Sequence, residues 1–359
     1  MSRLQGFQGE LEAAGFDAAI ISDPTHFQYL TGFSFHDGYL LVAGGQGYLL
    51  TDFRYEEAAK ATVADEWKIL CPDCGMLVSI AGILKDAHCQ RVALEEKAVT
   101  LSDLERFKKT LTDVELLSGA SKILSEMRTC KDADELAMIR HAQSITDAAF
   151  SHVLKVLSPE MTEIEVALEL EYFMRRSGAD GLAFNTIAVS GSASSLPHGV
   201  PRPQKLERGF LTMDFGARYK GYCSDMTRTV VIGRADEEMK RLYNTVLQAQ
   251  TLALEAAAEG VSCHALDKIA RDHIENAGYR GRFGHSLGHG VGLHVHEDPR
   301  LSPKAKPEET LKRGHVVTFE PGIYLTGQYG CRIEDLLAID PNGNAINLTN
   351  SKKELIELF

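Results

Sequence analysis

The sequence predicts a mixed fold of helices and strands in two parts: an α/β part over residues 1–126 and a larger α+β part over residues 127–359. Three observations lead there. At 359 residues the chain is too long for one ordinary core, so two domains are expected. Short helical patterns alternate with short apolar runs up to about residue 125. Beyond that point the order helix, helix, strands occurs twice, without a visible residue-level repeat.

In the first part, residues 17–22, 38–42, 48–51 and 91–94 have strand composition, and residues 3–14 and 102–110 have helical spacing. In the second part, Asp132 is a helix cap, with Glu135 placed to reach back to it. Leu136, Ile139, Ile145, Phe150, Val153 and Leu157 then follow a helical period. Thr162 with Glu165 repeats the cap, and Gly178 stops that second helix. Strands are expected over 182–190 and 209–233. Helices follow over 237–259 and from Ser262 to Gly278, then strands over 314–325 and 331–339.

Composition narrows the function. Apolar content of 44% and charged content of 25% are ordinary for a soluble globular protein. A net charge of −12 argues against nucleic acid or an anionic membrane as the main partner. No apolar run has the length of a membrane span, and Glu10 and Glu12 stand where a signal peptide would be apolar, so a cytoplasmic protein is expected. Seven scattered cysteines fit reduced thiols. Cys71 and Cys74 form the one CxxC. A structural zinc site would want a second pair, so these two are read as small residues closing a strand, with a redox role as the alternative.

The stretch GHSLGHGVGLHVHEDPR, residues 284–300, crowds His285, His289, His294 and His296 among glycines. The i, i+4 spacing of His285 and His289 is that of a zinc-binding HExxH helix. Ser286 replaces its glutamate, however, and each of four glycines would cost a helix about 1 kcal/mol. A nucleotide-binding glycine loop fails as well, for want of a G-x-G-x-x-G run.

The partners are carboxylates in strand interiors, where aspartate is normally excluded. With Lys220-Gly221 as a two-residue hairpin turn, Asp214 and Asp225 are diagonal neighbours on one face; a turn one residue earlier makes them directly opposite. Glu320 and Glu334 lie in the next strand pair. A two-residue turn would not put them on one face, whereas a bulge or odd loop near Pro321-Gly322 would. For one acid alone, an ion pair explains burial equally well: Arg228 with Asp225, or Arg332 with Glu334. Four buried acids together call for cations, and four charges match two divalent ions. An oxygen-rich set with one imidazole favours Mn²⁺, with Co²⁺ or Zn²⁺ as alternatives.

From about Met127 onward the chain resembles the metal-dependent "pita-bread" peptidases, the superfamily of methionine aminopeptidase, aminopeptidase P and prolidase. The segments that carry the resemblance are MDFGARYKGYCSDMTRT, HSLGHGVGLHVHEDPR, TFEPGIY and RIEDLL. Residues 23–33, DPTHFQYLTGF, resemble the creatinase/prolidase N-terminal domain, which points to the Xaa-Pro branch. The resemblance implies that Asp214 binds one of two metal ions, Asp225 and Glu334 bridge them, and His289 and Glu320 bind the second. It further implies that His198, His285 and His296 flank the substrate, that Arg332 steadies a bridging carboxylate, that Arg300 holds the substrate's terminal carboxylate, and that Tyr324 lines the site. His294 is given no role. The implied reaction is hydrolysis of the bond between an amino-terminal residue and proline in a di- or oligopeptide. Glu320 manages the water proton, His296 stabilises the carbonyl oxygen and His198 positions substrate. Relatives are often homodimers. The rival expectations are an inactive binding protein of the same fold and an aminopeptidase of other specificity.

Overall fold

The computed structural model describes residues 2–359, and the chain divides between Arg128 and Thr129 into two compact units. The first unit alternates helices and strands. Ser2 and Gln5 form a capping box that opens α1 (Arg3–Ala13), and Asp23 caps α2 (Pro24–Thr31), which follows β1 (Ala18–Ile21). Next come β2 (Tyr39–Ala43), β3 (Gln46–Leu50), α3 (Phe53–Thr62), β4 (Trp67–Leu70) and α4 (Met76–Asp86). They are followed by β5 (Arg91–Leu94), α5 (Leu101–Thr110), β6 (Glu115–Ser118) and α6 (Ala120–Thr129). The six strands form one sheet in the order β4-β3-β2-β1-β5-β6. Its central strands β1 and β5 are largely buried, as in a sheet with cover on both faces. Cys71 directly follows β4, and both Cys71 and Cys74 are free thiols.

The second unit is built twice over. Its first half runs α7 (Ala133–Val156), α8 (Glu163–Arg176), β7 (Gly181–Leu182), β8 (Ile187–Ser190), β9 (Gly209–Phe215), β10 (Ala217–Tyr219), β11 (Tyr222–Cys223) and β12 (Met226–Ile232). Its second half begins with α9 (Glu237–Glu255), α10 (Cys263–Ile274), β13 (Gly288–Gly290) and β14 (Glu297–Leu301). It continues through β15 (Val316–Phe319), β16 (Gly322–Leu325), β17 (Tyr329–Arg332) and β18 (Asp335–Ile339). Two short strands close the chain, β19 (Ala345–Asn347) and β20 (Glu357–Leu358).

The capping boxes at Asp132 and Thr162 form as the sequence suggests. Ser262 precedes α10 without a side-chain cap bond. Each half has its own core, α7 and α8 against β9 and β12, and α9 and α10 against β15 to β18. Measured from the caps Asp132 and Asp236, the buried positions Ile139, Ala142, Ile145 and Ala149 of α7 coincide with Tyr243, Val246, Ala249 and Ala253 of α9. The repeat is therefore visible in the burial pattern, though residue identity conceals it.

Each half presents one long hairpin with a break in its ladder. Lys220 and Gly221 do form the turn of the first, with Tyr219 opposite Tyr222. The same register runs into β9 and β12, where Phe215 faces Met226 and Asp214 faces Thr227, so Asp214 and Asp225 are diagonal. At the break a Cβ on Gly216 would meet the Ser224 carbonyl oxygen at 2.0 Å, so only glycine allows this approach. In the second hairpin, Phe319 faces Asp335 and Gly322 faces Arg332 on one register line, and Glu320 and Glu334 fall in the gap between them. The odd loop that puts them on one face lies at residues 326–328, between Leu325 and Tyr329, and not at Pro321-Gly322.

The last residues lock the two hairpins. β20 lies parallel to β12. The buried Arg228 donates to the carbonyls of Ser351, Lys352 and Glu334, and to the Asp335 carboxylate at 2.8 Å.

Candidate metal centre

The two hairpin breaks and β13 bring carboxylates and an imidazole together. Asp225, His289 and Glu334 are buried and offer ligand atoms within 4.8 Å of one another. Glu320 joins them, with its Oε1 3.4 Å from His289 Nε2, and the Asp225 carboxylate is 3.7 Å from the same nitrogen. Asp214 turns Oδ2 to Arg332 at 2.7 Å, while its Oδ1 is buried without a hydrogen-bond partner. His289 directs Nδ1 to the Gly290 carbonyl at 3.1 Å, which fixes the tautomer and leaves the Nε2 lone pair facing the acids.

The arginines that were alternative partners for the acids are engaged elsewhere. Arg228 pairs with Asp335, and Arg332 pairs with Asp214, so neither neutralises Asp225 or Glu334 directly. Burial, followed by repulsion from Glu334, Asp214 and Glu320, raises the Asp225 carboxyl well above its ordinary range. Burial followed by Glu320 and Asp214 does the same to Glu334. Glu320 is pushed up to about 8, again chiefly by burial, with Arg332 opposing. Burial, reinforced by His296, lowers His289 to about 3, so its ring is neutral and able to ligate. A neutral imidazole and buried acids that resist ionising alone form a cage that divalent cations would satisfy. This donor set suits Mn²⁺, Co²⁺ or Zn²⁺.

The cage forms one wall of a cleft of about 520 Å³. His198, His285, His296, Arg300 and Arg332 also line it, with Phe184, Asn185, Ile187 and Val200. The His296 ring stands edge-on to His289 at 4.4 Å. Arg300 is directly opposite His289 in the β13–β14 ladder. Tyr324 is not on this wall. Its hydroxyl is used behind it, accepting from Arg332 at 2.9 Å and bonding His285 Nε2 at 2.9 Å. His285 Nδ1 meets the Ser286 carbonyl, and burial, with help from Arg332, brings that ring down to about 4. His294 is exposed, and its backbone N–H donates to Glu297.

Thr227 went unnoticed in the sequence. Its hydroxyl donates to Glu334 Oε2 at 2.7 Å and accepts from Arg332 Nε at 3.0 Å. The signal was there, since the Lys220-Gly221 turn that makes Asp225 diagonal to Asp214 also sets Thr227 opposite Asp214. Phe184, Asn185 and Ile187 carried no comparable signal.

Residues 137–341 match the model of metallopeptidase family M24, and residues 3–130 match the creatinase/prolidase N-terminal domain. The chain is 37% identical to an Xaa-Pro dipeptidase of Pyrococcus furiosus, over 99% of this chain and 99% of that protein. The structure of an Xaa-Pro dipeptidase from Bacillus anthracis superposes with a TM-score of 0.94 at 36% identity, covering 99% of each chain. That of an X-Pro aminopeptidase from Thermotoga maritima gives 0.90 at 36% identity, covering 97% of this chain and 100% of that one. The second unit thus has the pita-bread fold, preceded by a creatinase-type α/β domain.

Proposed function

This chain belongs to metallopeptidase family M24, and from that premise we propose that it hydrolyses the bond between an amino-terminal residue and a following proline, acting on dipeptides. It is a metal-dependent hydrolase. The observation that carries the reading is the convergence of Asp225, His289 and Glu334 beside Glu320 and Asp214 on one wall of the cleft.

Asp214, Asp225, His289, Glu320 and Glu334 would hold two divalent cations, Mn²⁺ in first place and Co²⁺ or Zn²⁺ as alternatives. When bound, such ions supply Lewis acidity, polarising the scissile carbonyl and making water a nucleophile near neutral pH. Glu320 takes the proton from the attacking water and delivers it to the departing proline nitrogen. His296 donates a hydrogen bond to the carbonyl oxygen as negative charge develops there. His198 and His285 flank the peptide and orient it. Arg332 stays off the substrate, holding Asp214 and, through Tyr324, His285.

Arg300 favours short substrates. It lines the cleft opposite His289, where a guanidinium can take the free carboxylate of a dipeptide in two parallel hydrogen bonds. The similarity to an X-Pro aminopeptidase supports a second reading, in which longer peptides are accepted. A paired assay separates them. Protein stripped of metal and reloaded with Mn²⁺ is given a Xaa-Pro dipeptide and the same peptide extended by one residue. A dipeptidase cleaves the first with the higher kcat/KM and loses that preference in Arg300→Ala. Faster cleavage of the longer peptide makes it an aminopeptidase. No cleavage of either with Mn²⁺, Co²⁺ or Zn²⁺ would end the Xaa-Pro reading.

We further propose that the enzyme is cytoplasmic, in keeping with its free cysteines, and a homodimer, as the family resemblance of its sequence implies. Among the described residues no helix is long and apolar enough to cross a membrane. Light scattering at micromolar protein concentration checks the dimer.

A further inference from the structure

On the reading that Glu320 and Glu334 are metal ligands, we propose that Gln250, held by Lys353, is a positioning residue that sets both glutamates at once. Gln250 lies on α9 and is fully buried. Its Nε2 donates to the Phe319 carbonyl at 3.0 Å and to the Ile333 carbonyl at 3.2 Å. Those carbonyls belong to the same peptide groups as the Glu320 and Glu334 N–H bonds. The opposite ends of the two peptide groups are also held. Glu320 N–H donates to the Leu287 carbonyl at 2.8 Å, and Glu334 N–H donates to the Thr227 carbonyl at 3.0 Å.

Each glutamate therefore hangs from a peptide plane fixed at both ends. One amide group, with one hydrogen for each carbonyl, ties the two planes together. The hairpin ladder cannot do this, because both acids sit in its gap. Lys353 Nζ donates to Gln250 Oε1 at 3.1 Å and to Asp335 Oδ2 at 2.7 Å. That contact fixes which way the amide faces, since the reversed amide would set oxygen against two carbonyl oxygens.

The other half supplies an independent parallel. Thr146 stands as far from its helix cap, Asp132, as Gln250 stands from Asp236. Its hydroxyl takes the Ala217 N–H at 3.0 Å and bonds the Ser224 hydroxyl at 2.8 Å, across the ladder break between Asp214 and Asp225. In both halves the same helical position reaches the break that carries that half's acids.

Gln250→Glu is the sharpest test. It keeps the shape and the Lys353 contact but removes both donors. Titration calorimetry of Mn²⁺ into metal-free protein should show affinity reduced about 10- to 100-fold, with kcat on a Xaa-Pro dipeptide falling at least about tenfold and KM little changed. Lys353→Met should shift both in the same direction by a smaller factor. A merely structural glutamine would lower the unfolding midpoint of the metal-free protein and leave Mn²⁺ affinity, measured well below that midpoint, unaltered. Wild-type affinity in Q250E overturns the proposal. If Q250E does not fold, K353M decides: unchanged Mn²⁺ affinity overturns the proposal and weakened affinity supports it. Glu334→Gln is the control for the underlying reading. Should it bind Mn²⁺ like the wild type, the ligand assignment falls and takes the proposal with it. Weakened binding in E334Q beside wild-type binding in Q250E rejects the role of Gln250 alone.

Discussion

Thr227 stands between two of the acids, donating to Glu334 and accepting from the arginine that holds Asp214. Thr227→Val keeps the shape and deletes the hydroxyl. Metal affinity or kcat should fall about 10- to 100-fold, the range found when groups that orient metal ligands are lost. Asp225→Asn should remove metal binding and hydrolysis together; calorimetry and a peptide assay on one preparation check this. His315 gives a prediction away from the centre. Burial, then Lys131 and Lys312, lowers its ring to about 4, while its Nδ1 accepts the Lys312 N–H. The folded value lies below the unfolded one, so its contribution is complete above pH 6.5 and is lost as pH falls toward 4. Acid should cost up to about 3 kcal/mol through this ring, and His315→Asn should flatten that part of the pH–stability curve in urea titrations. At this scale much was legible. Acids interrupting apolar strands stand out because burying them has a price that sequence alone reveals. Thr227 did not stand out, since threonine is ordinary in a strand.

The strands hold the proposed ligands by close backbone approach. A Cβ on Gly288 would meet the Thr318 carbonyl oxygen at 1.9 Å, and next to it His289 N–H donates to Thr318 Oγ1 at 3.1 Å. Gly288→Ala should destabilise the protein by about 1–3 kcal/mol, the cost of overpacking, and should weaken metal binding by pushing His289 away. Thermal unfolding with and without Mn²⁺ separates the two effects. Turn chemistry decided how far the hairpins could be read in advance. Lys220-Gly221 marks a short turn that puts Asp214 and Asp225 on one face in either of two registers, and the positive φ of both residues in the structure selects the diagonal one. The second hairpin turns on three residues, among them Gly327 at positive φ, flanked by Thr326 and Gln328, which signal no loop length. The parity of Glu320 and Glu334 was therefore open until the structure located that loop.

With the proposed cations bound, the second unit is expected to draw part of its stability from them, since its buried acids repel one another. Chelation should lower the unfolding midpoint, and Mn²⁺ at about 100 times its Kd should return about 2.7 kcal/mol, read as a midpoint shift of several degrees. An unchanged midpoint would mean that protons alone satisfy the cage. The order helix, helix, strands was readable along the chain because caps and periodicity are local. The Gln250 contact was not readable, because it joins α9, two strands and residue 353, far apart in sequence.

That last segment also has a consequence in time. Asp214, Asp225, His289, Glu320 and Glu334 all leave the ribosome before Ser351, Lys352 and Lys353, which close over Arg228 and Gln250. A nascent chain thus carries all five proposed ligands before it carries the clasp proposed to align them. Metal capture is expected to follow translation of residues 351–358, so cofactor loading waits for that clasp to form.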